Sequence, residues 1–183
     1  MTIRPKENIS KLDAAKRQLE TAIALWFDDG DAVSTHALAY AAYEIIHTIS
    51  KKRDPNRAAL LFDTPVIKDE YRKDFAIWLK RHANFFKHGD RDGEAIIEFH
   101  PILTELYIQF ALLGLELLGE PKSATASAYL WWGYIHRPNW LTESGRKVVS
   151  DTSPPEGIEH LRRISKGDFL KAFQHARRLA ARN

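Results

Sequence analysis

The chain contains no cysteine among its 183 residues, and this absence removes several kinds of chemistry at once. Disulfide bonds, thiolate nucleophiles and cysteine-rich zinc sites are all excluded, and such a composition is typical of a reducing compartment. Glycine and proline are also sparse, with 9 and 8 residues, and no long linker rich in either divides the sequence. A chain of this length without linkers is expected to bury one good-sized core.

Long apolar runs are missing as well. The most apolar stretch, residues 108–118, is too short to span a bilayer and contains Glu116. Residues 1–10 hold no apolar run of the kind that a secretory signal needs. We therefore expect a soluble cytoplasmic protein without a membrane partner.

Several common enzyme motifs are absent too. The sequence has no phosphate-binding Walker loop, no dinucleotide-binding glycine pattern and no serine nucleophile elbow. These absences disfavour an ATPase, a dehydrogenase and a serine hydrolase.

The positive charge of the chain is concentrated in its C-terminal third. The net charge is only +3, but residues 121–183 hold 11 Lys or Arg against 5 Asp or Glu. Such a segment can meet nucleic acid, although the same excess is ordinary for the solvated face of a helix. The aromatic residues beside these cations favour either a plug that packs this third onto the rest of the chain or a platform that stacks nucleobases: Tyr129, Trp131, Trp132, Tyr134 and Trp140.

Apolar residues recur at helical spacings from residue 10 to residue 119, which predicts an all-α fold. The pattern favours an antiparallel bundle of four main helices over residues 1–120 and a smaller helical elaboration over residues 121–183, forming one compact domain overall. Breaks in the pattern place the four helices at residues 10–27, 31–52, 66–88 and 101–118. Residues 94–99 are expected to be extended, residues 123–136 helical, residues 138–155 a loop or hairpin, and residues 155–181 one or two short basic helices.

The third predicted helix carries the densest group of chemical side chains. Arg81, Asn84 and His88 are separated by three and four residues, so a helix projects them from one side. A guanidinium pairs with phosphate oxygens and an imidazole moves a proton near neutral pH, which are the parts of a phosphodiester-cleaving site. The alternative is structural: Arg81 pairs with Asp74 or Glu70, and His88 interacts with the helix dipole.

The pattern of Arg81, a polar residue, a spacer and His88 resembles the motif of HEPN domains. The resemblance covers at most residues 10–120. It implies a helical bundle and, as in the many HEPN ribonucleases of toxin-antitoxin and defence systems, a metal-independent endoribonuclease acting on single-stranded or looped RNA. The run of residues 84–92 also resembles a segment of uncharacterised bacterial helical proteins, which implies nothing about activity.

The resemblance implies a role for each residue of the motif. His88 acts as general acid or base at the ribose 2′-hydroxyl and the leaving oxygen, Arg81 stabilises the developing phosphoryl charge, and Asn84 orients the substrate or the imidazole. HEPN ribonucleases generally build the cleft between two protomers, so the resemblance implies a homodimer with Ile77 at the seam, no cofactor, and control by a partner protein such as an antitoxin. Because many HEPN relatives are non-catalytic, the alternative function is a helical module that binds a nucleotide or a protein.

Four further residues are candidates for contacts with the substrate: Lys87, Arg91, Tyr43 and His47. The two cations draw RNA towards the site by long-range attraction. The other two share a face of the second helix with His36 and Tyr40, and this face meets either a second protomer or a wet cleft beside the motif. The same face is equally well explained by half-buried side chains that bond to water and backbone.

Metal binding is not expected. Glu44 and His47 have the spacing of di-iron bundle ligands, but no second copy of the pair exists. The acidic run of residues 90–94 lacks the remaining ligands of a calcium loop and is expected to form a turn. His82 is expected to be a core histidine, because it lies in the apolar face that the third helix should turn to the core: Tyr71, Phe75, Trp78, Leu79, His82, Phe85 and Phe86.

Overall fold

A computed structural model describes residues 6–89 and 93–180 of the chain. These residues form an all-α structure with eight helices and no strand, so the predicted fold class is confirmed. The chain divides into two compact units. The first takes the described residues of 1–22 and 31–121, and the second takes those of 23–30 and 122–183.

The four main helices lie close to their predicted positions. They are α1, Lys11–Phe27; α2, Ala32–Arg53; α3, Arg72–Lys87; and α4, Ile102–Leu117. Polar side chains begin the first two, since Ser10 Oγ accepts the N–H of Asp13 at 3.0 Å and Asp31 Oδ2 accepts the N–H of Ser34 at 2.7 Å. Gly119, with a φ of 74°, follows the end of α4 in the left-handed region that glycine tolerates.

The start of α3 was predicted six residues too early. A short 3₁₀ turn over Asp69–Tyr71 precedes the helix, which begins at Arg72. Val66, the first residue of the predicted helix, is 84% exposed and therefore has no core position to fill. Without packing, the weak helical preference of so short a stretch does not extend the helix towards the N-terminus.

The core of the first unit lies between α2 and α4, which pack closely along their length. Gly114 allows this approach, because a Cβ atom at that position would lie 2.5 Å from Cγ2 of Ile46. Tyr107 of α4 is fully buried, and its hydroxyl donates a hydrogen bond to the Leu79 carbonyl of α3 at 2.6 Å. This bond ties the third helix to the α2–α4 pair.

Two predicted helix faces differ from the structure. On α2, the face expected to be half-buried is buried completely, with relative exposures of 0% for His36, 1% for Tyr40 and 0% for Tyr43. On α3, Leu79 is buried as predicted, but Trp78 is 50% exposed. The reason is that α3 turns only a narrow strip towards the core, whereas α2 lies between α3 and α4 and buries a wider surface.

The second unit is built on α5, Ala124–His136. It also contains a 3₁₀ turn over Pro138–Trp140 and three further helices, which are α6, Glu143–Thr152; α7, Pro155–Arg163; and α8, Lys166–Ala180. The last turn of α1 belongs to this unit, where Trp26 packs edge-on against Tyr129 and Trp132 with ring centroids 4.9 and 4.8 Å apart. Large aromatic side chains therefore form most of its core.

The prediction of a loop or hairpin at residues 138–155 is wrong, because α6 occupies most of that range. Thr142 begins this helix by accepting the N–H of Gly145 at 3.2 Å, and Val149 is its buried contact. Beyond residue 155, where one or two short basic helices are predicted, the chain forms α7 and α8. In α7 two glutamates balance two arginines, so only α8 carries an excess of basic residues. Residues 94–99 are in neither helix nor strand.

None of the helices in the described part of the chain is long and apolar enough to cross a membrane.

Candidate functional site

The motif residues Arg81 and Asn84 lie on the solvent side of α3. Leu79 and Ala83 are the buried residues of this helix, and Arg81 and Asn84, which lie two positions after Leu79 and one after Ala83, turn away from the core. Both motif side chains are exposed. Arg81 makes no ion pair or hydrogen bond with any residue in 6–89 or 93–180, so the predicted pairing with Asp74 or Glu70 is not formed there.

His88 belongs to the end of α3 rather than to its helical stripe. It is the residue that follows the last helical position, with an extended backbone at φ −119° and ψ 109°. Its N–H still donates to the Asn84 carbonyl at 3.1 Å, which holds the His88 backbone at the C-terminal end of the helix that carries Arg81 and Asn84. The predicted spacing therefore brings the three residues to one exposed end of α3, but His88 leaves the helix through a different backbone conformation.

Two lysines flank the motif on the side that faces α2. Lys80 Nζ lies 3.8 Å from Glu44 Oε1 and 5.0 Å from the ring centroid of Phe62. Lys87 Nζ lies 5.2 Å from the ring centroid of Tyr40. These ring contacts restrain the two ammonium groups close to the surface of α2.

Together these side chains give the C-terminal half of α3 a cationic outer surface, which we call the α3 basic end: Lys80, Arg81, Asn84, Lys87 and His88. Its lysine and arginine side chains are cations that only donate hydrogen bonds. The Asn84 amide and the His88 imidazole can also accept them. Arg81 offers a planar fork of donors suited to a phosphate, and the lysines add point charges. An anion with several phosphates is the ligand that this chemistry fits best.

The predicted contact residues of α2 lie beneath this surface. Tyr43 is fully buried, and its hydroxyl accepts the Phe62 N–H at 3.0 Å. Burial raises the pKa of the Tyr43 phenol well above its ordinary value. A substrate on the protein surface has no access to this side chain in the first unit.

His47 is also mostly covered, and it lies next to a carboxylate that the sequence pattern did not single out. Its Nε2 is 3.5 Å from Asp63 Oδ1. Burial lowers the pKa of His47, and the nearby Asp63 charge only partly opposes this effect. The fourth predicted contact residue, Arg91, lies outside the described residues.

Asp63 is the centre of an ion-pair cluster that fixes the loop between α2 and α3. Its carboxylate accepts the Leu60 N–H at 2.7 Å and lies 3.3 Å from Arg57 Nη2 and 3.5 Å from Lys51 Nζ. Burial acts against ionisation, but the Leu60 N–H, the Arg57 charge and the His47 ring together lower the pKa of Asp63 below its ordinary value. The residues come from a helix end and an irregular loop, so no periodic signal in the sequence could reveal the cluster.

Glu44 and His47 do not form a metal site. Glu44, the proposed partner of His47 in a di-iron pattern, instead accepts a hydrogen bond from the Tyr40 hydroxyl at 3.0 Å. Over residues 6–89 and 93–180, no three acidic, histidine or cysteine side chains lie close enough together to hold an ion. Asp90 and Asp92 of the predicted turn fall outside the described residues.

Two histidines are part of the core of the first unit. His36 is 0% exposed, and its Nδ1 is 2.9 Å from Thr104 Oγ1. Burial, together with the nearby His82 ring, lowers the pKa of His36 to about 4, so the side chain is neutral at physiological pH. His82 is half-buried, and its Nε2 is 3.0 Å from the Glu98 carbonyl, but its Nδ1 is buried without a hydrogen-bond partner, so the predicted core histidine is satisfied at one ring nitrogen only.

Comparison of the chain with protein-family models, with curated proteins and with solved structures gives no match. The chemistry of the α3 basic end is thus the main guide to function.

Proposed function

We propose that this protein is a HEPN-like RNA-binding protein that cleaves RNA without a metal ion, and that the α3 basic end is its active surface. The observation that carries the proposal is the exposure of Arg81, Asn84 and His88 at one end of α3. Arg81 has no ionic partner among the described residues, so its guanidinium is available to an external anion. Lys80 is paired with Glu44, but Lys87 adds positive charge that favours a polynucleotide over a single small anion.

The proposed reaction is transfer of the phosphodiester to the neighbouring ribose oxygen. His88 takes the proton of the 2′-hydroxyl, whose oxygen attacks the phosphorus, and the bond to the 5′-oxygen of the next nucleotide breaks. Protonation of that leaving oxygen by an imidazole yields a 2′,3′-cyclic phosphate and a free 5′-hydroxyl. Arg81 stabilises the negative charge that develops on the phosphoryl oxygens, and Asn84 orients the substrate.

The same proposal includes a homodimer, which supplies a second imidazole for the leaving oxygen. Support for this step comes from the outer face of α3, where Ile77 is 59% and Trp78 50% exposed, both within one turn of Arg81. Large apolar side chains grouped on an exposed helix face are typical of interaction sites. Tyr40 and Tyr43, the other proposed members of the seam, are buried in the first unit and do not contribute.

The test is incubation of purified protein with a ladder of mixed RNA in EDTA. Wild-type protein should cleave the ladder, while Arg81→Ala and His88→Ala should each lose most of the activity. Lys73→Ala is the matched control, because Lys73 is an exposed cation on the same helix outside the α3 basic end. Equal and negligible cleavage by all four proteins would reject the nuclease.

A second function is favoured by one observation, the extended backbone of His88. Since this residue leaves the helix, its imidazole is not held by α3 packing. A non-catalytic helical module that binds a nucleotide, an RNA or a partner protein through the same cations fits that geometry. Binding of labelled RNA that depends on Arg81, with no cleavage over many hours, would favour the module.

The first proposal, the ribonuclease, also includes its setting: action in the cytoplasm, in a defence or toxin-antitoxin system controlled by a partner protein.

A further inference from the structure

The second unit carries a separate cationic and aromatic surface at the end of α5. Trp140, in the short turn after this helix, is 70% exposed. The guanidinium carbon of Arg137 lies 4.7 Å from the ring centroid of Trp140 and 5.6 Å from that of Trp132. One cation is therefore layered against two indoles, and the Trp140 ring remains largely open to solvent.

Two more arginines are fixed near the same turn by backbone carbonyls. Arg146 Nη1 donates to the Leu141 carbonyl at 3.1 Å, and Arg162 Nε donates to the Ile135 carbonyl at 2.9 Å. Leu141 follows Trp140 directly, and Ile135 lies two residues before Arg137, so both anchor points belong to the segment that carries the stacked pair. The Arg146 guanidinium uses one N–H for its anchor and keeps the others for a ligand, whereas Arg162 Nη1 also lies 3.8 Å from Glu159 Oε2, which leaves its Nη2 group.

These side chains form a surface that we call the Trp140 platform: Trp132, Arg137, Trp140, Arg146 and Arg162. Its composition differs from that of an ordinary solvated helix face, which carries flexible lysines and acids in alternation. Rigid guanidinium groups next to an exposed indole combine a hydrogen-bonding fork for phosphate with a flat surface for a base. Glu159, the acid nearest to Arg162, also pairs with Arg163, so it does not neutralise the platform.

We infer that the Trp140 platform binds single-stranded nucleic acid, with a base stacked on Trp140, whose ring Arg137 supports, and the flanking phosphates held by Arg146 and Arg162. A single strand fits because its bases are unpaired and present a face, whereas a duplex hides its bases from a flat indole. A nucleotide chain fits better than an acidic peptide because every nucleotide supplies both an aromatic base and a charged phosphate, whatever its sequence. This site lies in the second unit and does not depend on the motif of α3.

The experiment measures binding of a labelled twelve-nucleotide strand of deoxythymidine by fluorescence anisotropy in EDTA. This strand has no 2′-hydroxyl, so the proposed cleavage reaction cannot act on it, and binding is read independently of that activity. Wild-type protein should bind the single strand in preference to a duplex of the same length. Trp140→Ala should weaken binding by about 5- to 150-fold, the range for loss of one stacked base.

The matched controls separate the platform from a general effect of charge or folding. Trp140→Phe keeps an aromatic face and should retain most of the affinity. Tyr71→Ala removes an exposed aromatic ring of the first unit that belongs to neither proposed site and should leave binding unchanged. Arg146→Gln should reduce the slope of log affinity against log salt concentration by about 0.7, the loss of one phosphate contact on a single strand.

Several results would overturn the inference, and they differ from those that would reject the nuclease. Equal affinity of wild type and Trp140→Ala, or no binding of the single strand by wild-type protein, rejects the platform whatever the RNA assay shows. Dependence of binding on Arg81 in place of Trp140 also rejects it, and moves the nucleic-acid site to α3. Binding that depends on Trp140 in a protein that cleaves no RNA supports the platform and rejects only the nuclease. Because Trp140 is mostly exposed, thermal unfolding of the variants should match that of wild type.

Discussion

The buried histidine of α2 predicts a specific loss of stability in mild acid. In the folded first unit the His36 pKa is lowered to about 4 from an ordinary value of 6.5, because the ring is enclosed by Phe86, Phe99 and Tyr107 and lies near His82. The unfolded chain therefore binds a proton at this position at a higher pH than the folded chain does. The free energy of unfolding is fully retained above pH 6.5 and falls as the pH drops from 6.5 towards 4.

The magnitude follows from the two pKa values. Linkage gives a loss of about 2 kcal/mol between pH 7.5 and pH 5, and about 3 kcal/mol by pH 4. Such a loss is a large part of the stability of a small unit, which is typically about 5–15 kcal/mol. Above pH 5 most carboxylates of ordinary pKa stay ionised. His47, whose pKa burial also lowers, contributes to the change in that range, and a comparison with a His36 variant separates the two histidines.

The assay is urea unfolding followed by circular dichroism at a series of pH values from 7.5 to 5, for wild type and His36→Asn. The asparagine side chain keeps a polar group near Thr104 but does not titrate. The free energy of unfolding of wild type should fall by about 2 kcal/mol more than that of the variant over this range. Parallel pH profiles for the two proteins would refute the assignment of His36 as a neutral buried group.

Three other changes test the packing and the surface of the first unit. Gly114→Ala should destabilise the protein by about 1–3 kcal/mol in urea unfolding, because its Cβ would meet Ile46 Cγ2 at 2.5 Å, and this cost should be smaller when it is measured in an Ile46→Ala background. Asp63→Asn should cost about 2 kcal/mol or more by the same assay, because the Arg57 side chain is only 2% exposed and would lose its countercharge. Ile77→Asp should convert a homodimer to a monomer in sedimentation measurements, and an unchanged mass would place the contact elsewhere.

Helix boundaries that are set by neighbouring residues could be predicted from the sequence. The starts of α1 and α2 follow from Ser10 and Asp31, whose side chains accept hydrogen bonds from the first turn. The end of α4 follows from Gly119. These features depend on residues within one turn of each other, so a single sequence contains all of the necessary information.

Features set by tertiary packing were not predictable in the same way. Tyr40 and Tyr43 look amphipathic in sequence, yet they are buried because α3, α4 and the loop before Phe62 enclose α2. The predicted third helix includes His88 as its last residue, but the observed helix ends at Lys87, one residue earlier. Burial depends on which elements surround a helix, and a periodic pattern does not specify those neighbours.

The most direct test of the proposed activity is the chemistry of the RNA ends. A defined RNA of single-stranded sequence should be cut in EDTA to fragments that carry a 2′,3′-cyclic phosphate and a 5′-hydroxyl, as measured by mass spectrometry. The rate should fall by about 100-fold or more for His88→Ala, the usual range for loss of a general acid or base, and a 2′-deoxy substitution at the cut site should block the reaction. Fragments with a 3′-hydroxyl and a 5′-phosphate, or cleavage that persists unchanged in His88→Ala and Arg81→Ala, would contradict the assignment of the α3 basic end as the active surface.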